Sequence, residues 1–502
     1  MLFSTLLSNL EYTVLSGDPR TIDVCSVSSD SRVKSRDGLF VCICGARSDG
    51  HDYASMAYDN GFRAFVVTRP VGLPDDATIV LVKDSRRALA LISASFYGHP
   101  ARELRIVGLT GTKGKTTTAI TAYDILNRCG IPAAYIGSNG VKFGNVSEAT
   151  LNTTPESLEL QRYMRRMVDC GIKYLIMEVS SQAIYMDRIC GIEFDTAVFT
   201  NLYEDHIGGA EHPTFEHYRD CKKRLFTDFG AKHLICNLDD PMAGFMMSDA
   251  KGCDILGCSA LGREDADVRA YGIKKVRGRE ALSVSFKLVA EGRELCAAFP
   301  MPGAFSVSNA LLAAAICLKA GLLPEEIAAA LSEVTVEGRF ETLASPSGAL
   351  FVIDYAHNGA ALSAALSAIR EFSPERIICL FGSVGGRTKG RRGELGRVAA
   401  ALADLCILTA DNPDSERVDS IIDDIAVCFE GEGSCPFVRI PDREEAIRYA
   451  VSIAKAGDVV LLAGKGHEKY QLVDGKKLDF SERDIVMRAV AESVSDSKKQ
   501  YI

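Results

Sequence analysis

The sequence predicts an α/β protein of three domains. Its 502 residues leave room for about three domains of the usual size. Short apolar runs of strand type alternate with helix-like stretches along the chain, which is the pattern of α/β domains. Many of these runs are apolar on both faces, as expected of strands in a parallel sheet that helices cover on both sides. We therefore expect buried parallel strands with functional loops at their ends.

The first predicted domain covers residues 1–101. Three runs with strand character, at 38–45, 64–68 and 79–85, are separated by helix-like pieces such as residues 53–62. The domain ends near His99-Pro100. This arrangement predicts a small α/β unit.

The second predicted domain covers residues 102–336. Strand-like runs lie at 105–110, 174–181, 196–202 and 233–239, with amphipathic helices between them. Residues 301–321 turn at Pro302-Gly303 and then read as a helix. The pattern predicts a covered parallel sheet.

The third predicted domain covers residues 337–502. Its strand-like runs lie at 350–357, 376–385, 404–412, 436–442 and 458–468. Four of them end in polar or Gly-rich clusters, and open α/β sheets bind ligands at the carboxyl ends of their strands. We therefore expect the functional site in a cleft between the second and third domains.

Composition and charge exclude several classes of protein. The chain has 57 basic and 66 acidic side chains, a net charge of −9, so no global positive field attracts nucleic acid or an anionic membrane. Sixteen cysteines occur without a C-x₂-C pair, which favours reduced, buried thiols over a zinc site. The first residues lack the basic start of a signal peptide, and no apolar stretch approaches the ~20 residues that a membrane span needs. We expect a cytoplasmic protein.

Residues 111–118 read GTKGKTTT and lie between an apolar strand-like run and a helix-like stretch. A Gly-rich loop that opens a helix directs backbone N–H groups and the positive helix end at one point, which suits nucleotide phosphates. Lys115 could reach the terminal phosphates and the Thr116 hydroxyl could hold Mg²⁺. The spacing is that of a shortened Walker A loop.

Glu178 and His206 each follow a predicted strand of the same domain. Both could approach a metal ion bound to the phosphates, and Mg²⁺ prefers oxygen ligands. The alternatives are a helix cap for Glu178 and a surface role for His206. Lys222 lies in a basic helical segment, for which a solvated charged face is the default interpretation.

Polar clusters follow the strands of the third domain. They comprise Asp354 and His357, Arg387, the sequence DNP at 411–413 and GKGHE at 464–468. Gly-rich loops here could bring backbone N–H groups close to anions. The alternative is that these clusters are structural turns.

Together these motifs resemble those of the Mur ligase family, and within it the members that add the third residue of the cell-wall stem peptide. The resemblance covers nearly the whole chain and follows the family's order: DSR, GLFV, GTKGKTTT, NTTP, MEVSSQA, TNLYEDH, HYRDCKKRLF, SVSNALLA, GRFE, DYAH, GGRTKGRR, DNP and GKGHE. It implies a small α/β N-terminal domain, a central P-loop ATPase domain with a parallel sheet, and a Rossmann-like C-terminal domain.

The resemblance also implies a set of site residues. Lys115, Glu178, His206 and Lys222 would be catalytic, and Lys222 would be carbamylated so that it ligates Mg²⁺ together with Thr116, Glu178 and His206. ATP would contact Gly111, Thr112, Lys113, Gly114, Lys115, Thr116, Thr117, Asn309, Arg339, Asp354 and His357. The nucleotide-linked muramoyl dipeptide would contact Ser29, Ser31, Ala46, Arg47, Ser48, Asn152, Thr153, Thr154, Ser180 and Arg188. The incoming amino acid would contact Arg387, Asp411, Asn412, Asp414, Gly464 and Glu468.

The implied reaction uses ATP and Mg²⁺ to join a diamino acid to the D-glutamate carboxylate of UDP-MurNAc-L-Ala-D-Glu through an acyl phosphate, a step of peptidoglycan synthesis. We expect a monomer with small-molecule substrates and no nucleic-acid or membrane partner. Family members that use meso-diaminopimelate usually read DNPR, whereas Asp414 stands at the fourth position here. An Asp would repel the extra carboxylate by ~4 kcal/mol at about 4 Å and an effective dielectric of ~20, which favours L-lysine. Meso-diaminopimelate is the alternative, because Arg387, Arg391 or Arg392 could supply a cation.

Three rival functions are open at this stage. A folylpolyglutamate synthase would share the ATP unit but would not need the motifs before residue 50. An ATP-driven switch would couple nucleotide turnover to a protein or nucleic-acid partner. A catalytically inactive binding protein would lack some of the residues at 115, 116, 178, 206 and 222, all of which are present.

Overall fold

The computed structural model is a mixed α/β structure, as the sequence predicts. It describes the chain except residues 46–47, 205–206, 209–210, 251, 387–388, 431–434 and 500–502. Its contacts group into two units. The first comprises Met1–Ser259, Arg263–Val268 and Leu311–Leu322, and the second comprises Ala260–Gly262, Arg269–Ala310 and Leu323–Ile502. The domain boundaries at 101 and 336 stay predictions.

The N-terminal part of the first unit contains a five-stranded sheet in the order β1-β5-β4-β3-β2. β1 is antiparallel to β5, and the other neighbours are parallel. The strands at 38–45, 64–68 and 79–85 are confirmed as β3, β4 and β5. The elements are α1 (Phe3–Leu6), β1 (Thr13–Ser16), β2 (Val27–Ser28), β3 (Gly38–Val41), α2 (Ala54–Asp59), β4 (Phe62–Val67), β5 (Thr78–Leu81) and α3 (Ser85–Phe96).

The rest of the first unit is built on a second sheet. Its elements are β6 (Arg105–Thr110), α4 (Lys115–Arg128), β7 (Ala133–Gly137), β8 (Gly140–Phe143), β9 (Val146–Glu148), α5 (Ser157–Asp169), β10 (Tyr174–Glu178), α6 (Ser181–Tyr185), β11 (Thr196–Phe199), α7 (Phe215–Thr227), β12 (His233–Asn237), α8 (Ala243–Met247) and β13 (Asp254–Ser259). The strands lie in the order β13-β12-β11-β6-β10-β7-β8-β9. From β13 to β7 all neighbours are parallel.

The central position of β6 determines where a site can form. Its neighbours are β10 and β11, and all three run in the same direction. Nearly every residue of these strands is buried, because helices cover both faces of the sheet. The loops that follow β6, β10 and β11 therefore emerge side by side at one edge.

A set of antiparallel strands and two helices follows: β14 (Val268–Arg277), β15 (Leu282–Ala290), β16 (Arg293–Phe299), α9 (Ala304–Lys319) and α10 (Pro324–Leu331). The sequence analysis did not predict the antiparallel strands. Along β15, buried and partly exposed positions alternate strictly, which is the pattern of a strand with one covered face. The predicted helix after Pro302-Gly303 is confirmed as α9.

The C-terminal sheet has six strands in the order β17-β18-β22-β19-β20-β21. β17 is antiparallel to β18 and the other neighbours are parallel. A separate hairpin joins β23 and β24. The elements are β17 (Glu341–Ala344), β18 (Leu350–Asp354), α11 (Gly359–Arg370), β19 (Ile377–Phe381), α12 (Gly390–Leu402), β20 (Leu405–Leu408), α13 (Val418–Ala426), β21 (Phe437–Arg439), α14 (Arg443–Ile453), β22 (Val459–Ala463), β23 (Tyr470–Val473), β24 (Lys476–Asp479) and α15 (Glu482–Lys499).

Two further expectations can be compared with the structure. All sixteen cysteines are free thiols and eight of them are buried, whereas Cys25, Cys44, Cys170 and Cys296 are exposed. In the described part of the chain, no helix is both long enough and apolar enough to span a bilayer.

Candidate active site

The glycine-rich loop follows β6 and leads directly into α4. Gly111 has φ +147° and Gly114 has φ +83°, which are backbone conformations that favour glycine. A Cβ on Gly111 would lie 2.0 Å from Thr200 Oγ1 and 2.9 Å from the Asn201 carbonyl oxygen. Close packing thus requires glycine at position 111. The first turn of α4 leaves backbone N–H groups free of helical partners and able to bind an anion.

The end of β11 holds this loop in place. Thr200 Oγ1 donates to the Lys113 carbonyl at 2.7 Å, and the Asn201 side-chain amide donates to the same oxygen at 3.1 Å. The Lys113 N–H donates to Asn201 Oδ1 at 2.9 Å. Thr200 and Asn201 were not among the predicted site residues. The signal available was their position at a strand end beside the expected nucleotide loop.

The side chain of Lys115 folds back against the glycine-rich loop. Its ammonium group donates to the carbonyl oxygens of Gly111 at 2.7 Å and Thr112 at 3.1 Å. Both acceptors belong to the glycine-rich loop. The cation is therefore already held at the place where phosphates are expected.

Glu178 ends β10 and is 1% exposed. Its Oε1 accepts hydrogen bonds from the Tyr135 hydroxyl at 2.6 Å and the Ser138 N–H at 2.9 Å. Its Oε2 accepts a hydrogen bond from Thr116 Oγ1 at 3.0 Å. The alternative of a helix cap is wrong, because Ser180 caps α6 by accepting from the Ala183 N–H. Two oxygen atoms that could ligate a metal ion, Thr116 Oγ1 and Glu178 Oε2, thus lie side by side.

Lys222 is 2% exposed on α7, so its assignment to a solvated charged face is wrong. Its Nζ donates to the Gly111 carbonyl at 2.9 Å and lies 4.5 Å from the centre of the Tyr218 ring. The helix thus points this side chain at the nucleotide loop while its neighbour Lys223 pairs with Asp249. The predicted partner His206 lies outside the described residues.

The predicted dipeptide contacts surround Glu178. Thr154 Oγ1 donates to the Glu178 carbonyl at 2.8 Å and accepts from the Ser180 N–H at 3.1 Å. Arg188 donates to the Thr154 carbonyl at 3.1 Å and pairs with Glu156 at 2.9 Å. Burial lowers the pKa of Arg188. Thr154, Ser180 and Arg188 are therefore connected to one another, and half-buried Asn152 lies in the same loop.

Thr153 connects the same loop to the turn that follows β7. Its hydroxyl lies 3.1 Å from Ser138 Oγ. The Ser138 N–H donates to Glu178, so Thr153 is two hydrogen bonds from the buried carboxylate. Ser138 was not among the predicted site residues.

The predicted uridine-nucleotide cradle is only partly described. Ser29 is exposed and Ser31 is buried after β2, where the Ser31 carbonyl accepts from Asn60 Nδ2 at 2.8 Å. Ser48 is exposed and its carbonyl accepts from the Gly45 N–H at 2.9 Å. Ala46 and Arg47 lie outside the described residues. The role of this group stays a prediction.

In the second unit, a set of side chains gathers where β18 ends. The Asp354 carboxylate accepts from the N–H groups of Phe340 and Ala356, both at 2.9 Å. Burial raises the pKa of Asp354, and the Arg339 guanidinium opposes that rise. Arg339 lies 4.5 Å from the centre of the Tyr355 ring. These contacts bring the predicted residues Arg339 and Asp354 together around one turn.

Tyr355 is the aromatic centre of this group. Its ring centre lies 4.7 Å from that of His357, and the His357 Nδ1 lies 2.9 Å from the Tyr355 carbonyl. Burial raises the pKa of Tyr355 to about 12, so the hydroxyl stays neutral. Asn309, another predicted ATP contact, is buried on α9.

A second cluster in this unit surrounds Lys465, which is fully buried. Its ammonium donates to Asn412 Oδ1 at 2.9 Å and to Glu468 Oε2 at 3.0 Å. Asp411 Oδ1 lies 3.8 Å from the same nitrogen and accepts no hydrogen bond from the described residues. Asp411, Asn412 and Glu468 are predicted site residues, whereas Lys465 was not predicted. A lysine between two glycines after a fully apolar strand was the available signal.

Gly464 shapes the backbone beside this cluster. Gly464 has φ +114°, and a Cβ there would lie 3.0 Å from Asp411 Oδ2. The predicted residue Gly464 thus lets the backbone pass close to the Asp411 carboxylate. Arg387, the predicted cation for the amino acid, lies outside the described residues.

Asp414 has a structural partner that the sequence analysis did not foresee. Its Oδ1 accepts from the Gly475 N–H at 2.7 Å, in the turn between β23 and β24. Its φ is +52°, a left-handed conformation that Asp and Asn tolerate better than other side chains. The residue type therefore suits the local backbone, which weakens the inference from Asp414 to L-lysine.

Arg392 was considered as a cation for the incoming amino acid. It is buried on α12 and donates to Glu416 at 2.8 and 2.6 Å and to Asp424 at 2.7 Å. The hydrogen bonds from Arg392 lower the pKa of Glu416 to about 2. Arg392 is thus bound to two carboxylates and has a structural role.

Comparison with known proteins identifies the family. A model described as the Mur ligase middle domain matches residues 109–317, and a model described as the Mur ligase, glutamate ligase domain matches residues 338–466. The UDP-N-acetylmuramoyl-L-alanyl-D-glutamate–2,6-diaminopimelate ligase of Geobacillus kaustophilus is 39% identical over 97% of this chain and 99% of its own length. The enzyme of the same name from Clostridium perfringens is 35% identical, with coverages of 97% and 99%.

Solved structures share the fold. A structure of a UDP-N-acetylmuramoyl-L-alanyl-D-glutamate–2,6-diaminopimelate ligase has a TM-score of 0.71 and 26% identity, covering 98% of this chain and 99% of its own. MurF from Acinetobacter baumannii has a TM-score of 0.64 at 18% identity, with coverages of 97% and 98%, which shows the fold alone. The expected three-domain α/β fold is confirmed. Since relatives above 30% identity align with nearly the whole chain, the chain is a ligase that belongs to the Mur ligase family.

Proposed function

We propose that this chain adds meso-diaminopimelate to the D-glutamate carboxylate of UDP-MurNAc-L-Ala-D-Glu, with ATP as the energy source and an acyl phosphate as intermediate. The observation that carries the proposal is the full-length similarity to ligases whose names state this reaction. These relatives favour meso-diaminopimelate, the alternative of the sequence analysis, over L-lysine. The cytoplasmic location and the monomeric state stay predictions.

The donor set near Glu178 fits Mg²⁺. Thr116 Oγ1 and Glu178 Oε2 are 3.0 Å apart and are the hard oxygen ligands that Mg²⁺ prefers. We propose that Thr116, Glu178, His206 and carbamylated Lys222 hold the ion. When bound, Mg²⁺ supplies positive charge to the phosphate oxygens.

The first step joins a carboxylate oxygen of the D-glutamate residue to the γ-phosphorus of ATP. The bond from that phosphorus to the bridging oxygen breaks, and ADP leaves with its electron pair. The backbone N–H groups of the loop at 111–116 would bind the phosphates. Lys115 would leave the carbonyls of Gly111 and Thr112 and neutralise charge that spreads over the transferred oxygens.

The second step forms the amide. The neutral amine of the amino acid attacks the acyl carbon, inorganic phosphate leaves, and the nitrogen loses a proton. The buried surroundings of Glu178 and Lys222 support a site from which water is kept away, as an acyl phosphate requires. Residues Thr154, Ser180 and Arg188, connected around Glu178, would position the dipeptide carboxylate.

The cluster around Lys465 is proposed to bind the incoming amino acid. Asp411 Oδ1, which accepts no hydrogen bond from the described residues, and the Glu468 carboxylate would accept from an ammonium group, and Arg387 would pair with a carboxylate. Asp414 is already bound to the Gly475 N–H, so we expect it to repel the second carboxylate of diaminopimelate only weakly.

A phosphate-release assay tests the substrate choice. Purified protein receives ATP, Mg²⁺ and UDP-MurNAc-L-Ala-D-Glu with either meso-diaminopimelate or L-lysine. We expect kcat/KM for meso-diaminopimelate to be higher by at least about 10²-fold, because a site built for a carboxylate rejects a substrate that lacks it. Equal rates, or a preference for L-lysine, would contradict the proposal. Asp414→Asn keeps the left-handed backbone and should change kcat/KM for diaminopimelate by less than about tenfold, since a partly exposed charge is well screened.

A matched pair of lysine variants tests the carbamate. Lys222→Ala should abolish turnover, and a short-chain carboxylate such as acetate should restore part of it by replacing the lost anion. Lys223→Ala removes a neighbouring lysine that pairs with Asp249 and should keep most of the activity. Full activity of Lys222→Ala, or equal losses in both variants, would refute the role of Lys222.

A further inference from the structure

Two histidines and a cysteine lie together beside the candidate active site. The His212 Nδ1 lies 2.8 Å from the His217 Nδ1, and the His217 Nδ1 lies 3.9 Å from Cys221 Sγ. One donor atom of each side chain falls within 4.8 Å of the others. His212 and Cys221 are buried, and His217 is half-buried. The proposed function uses none of these three residues.

The spacing of the three residues follows from the start of α7. His217 and Cys221 are four residues apart on one face of the helix, where side chains are neighbours. Thr214 caps the helix by accepting from the His217 N–H at 3.2 Å. The cap therefore fixes the turn that brings His212, in the preceding loop, against the helix.

His212 has the second contact expected of a metal ligand. Its Nε2 lies 2.8 Å from Ser181 Oγ. In the tautomer that donates this N–H to Ser181, the Nδ1 lone pair points at the other two donors. Metal-ligating histidines usually donate their second ring N–H to a protein oxygen in this way.

We propose that His212, His217 and Cys221 form a binding site for a borderline transition-metal ion, with Zn²⁺ as the natural candidate. Two imidazoles and a thiolate suit Zn²⁺, whereas Mg²⁺ prefers oxygen. Bonds of about 2.0 Å to nitrogen and about 2.3 Å to sulfur around a tetrahedral ion require shifts of roughly half an ångström from the observed separations. Binding displaces the thiol proton of Cys221, and the ring proton of His217 must lie on Nε2 so that both Nδ1 atoms offer a lone pair to the metal. The half-buried side of His217 leaves a fourth position for water.

A second cluster of similar composition provides a contrast. Cys44, Asp49 and His51 also lie within 4.8 Å of one another. The Thr68 N–H donates to His51 Nε2 at 2.9 Å, so the ring proton lies on Nδ1, which is 2.6 Å from Asp49 and has no lone pair for a metal ion. A metal ion there would break these bonds, so we expect no tight binding.

The proposed site is separate from the oxygen donors for Mg²⁺ but adjacent to them along α7. Cys221 directly precedes Lys222. The Tyr218 ring lies 5.3 Å from the His212 ring and 4.5 Å from the Lys222 ammonium. Metal binding can be measured without nucleotide or acceptor, so a negative result here would leave the proposed ligase reaction untouched.

Cobalt titration of the full-length protein tests the site. Co²⁺ is added without nucleotide or acceptor, in the presence of excess Mg²⁺. It should bind with one-to-one stoichiometry and give a sulfur-to-cobalt charge-transfer band that one equivalent of Zn²⁺ removes. Cys221→Ser should lose the band. His217→Gln, at a half-buried position, should weaken binding, and Ser181→Ala should weaken it by about 10-fold to 100-fold.

Cys44→Ser is the matched control and should behave as the wild type. Circular dichroism of each variant checks that it folds. The proposal would be overturned if Cys221→Ser kept the charge-transfer band of the wild type and His217→Gln kept the wild-type affinity for Co²⁺. The absence of stoichiometric binding in the wild type would overturn it as well.

Discussion

Replacing Gly111 with alanine tests whether the glycine-rich loop fits tightly against β11. The new Cβ would lie 2.0 Å from Thr200 Oγ1 and 2.9 Å from the Asn201 carbonyl. Overpacking of this kind costs about 1–3 kcal/mol, and the backbone conformation at φ +147° adds about 1–3 kcal/mol for a residue other than glycine. The free energy of unfolding should therefore fall by about 2–6 kcal/mol.

Gly130→Ala is the matched control. Gly130 also has a positive φ, +81°, but a Cβ there meets nothing within 4 Å, so only the backbone cost of about 1–2 kcal/mol applies. Urea unfolding of both variants gives the stability difference, and binding of a fluorescent ATP analogue gives the functional one. Gly111→Ala should lose nucleotide binding because the hydrogen bonds from Thr200 and Asn201 to Lys113 must break. Equal stability of the two variants with unchanged nucleotide affinity would refute the tight fit.

Three further predictions concern charged groups. Glu178→Gln keeps the shape of the side chain but removes its charge, so the rate of phosphate release should fall by about 10²-fold or more. The circular dichroism spectrum should stay unchanged. A rate within threefold of the wild type would contradict the role of the carboxylate. Arg392→Met removes the buried cation that Glu416 and Asp424 share. Because both carboxylates are partly exposed and Asp424 keeps Lys389 at 3.5 Å, the fold should lose about 2 kcal/mol. Arg439→Met breaks an exposed pair and should cost less than about 1 kcal/mol, as urea unfolding would show. The pairing with Arg392 lowers the Glu416 pKa to about 2, so its stabilising contribution is complete above the unfolded pKa near 4.5 and is lost as pH falls towards about 2. The free energy of unfolding, measured from pH 6 to pH 2, should therefore depend less steeply on pH in Arg392→Met than in the wild type. Parallel pH curves for the two proteins would contradict this.

The sequence predicts the sheets well because their strands are buried on both faces. Runs such as residues 106–109 and 174–177 are apolar throughout and lie in adjacent parallel strands. That adjacency placed Thr116 beside Glu178, as expected from two strand ends on the same sheet edge. The antiparallel strands β14 to β16 were not predicted because they lack the continuous apolar runs of buried strands: β15 alternates between buried and partly exposed positions, and most of β14 is exposed.

The contacts of Lys222, Lys465 and Asp414 could not be predicted from local sequence, for one physical reason. Lys222 and Lys465 belong to charged or glycine-rich stretches, which usually lie in solvent, and only the folded chain shows that each is buried against oxygen atoms. Asp414 looked like a charge facing the substrate, but a hairpin 56 residues or more along the chain, with its turn at Gly475, engages its carboxylate. Local sequence cannot reveal contacts that depend on such distant segments.

The position of the Lys115 ammonium affects how an anion would enter the loop. Two uncharged carbonyl oxygens hold this group at 2.7 and 3.1 Å, so part of its hydration shell is already gone before any ligand arrives. An incoming phosphate would exchange these neutral acceptors for charged ones, which form stronger hydrogen bonds. The favourable enthalpy of that exchange would come with little additional loss of side-chain freedom, since the lysine starts from an ordered conformation.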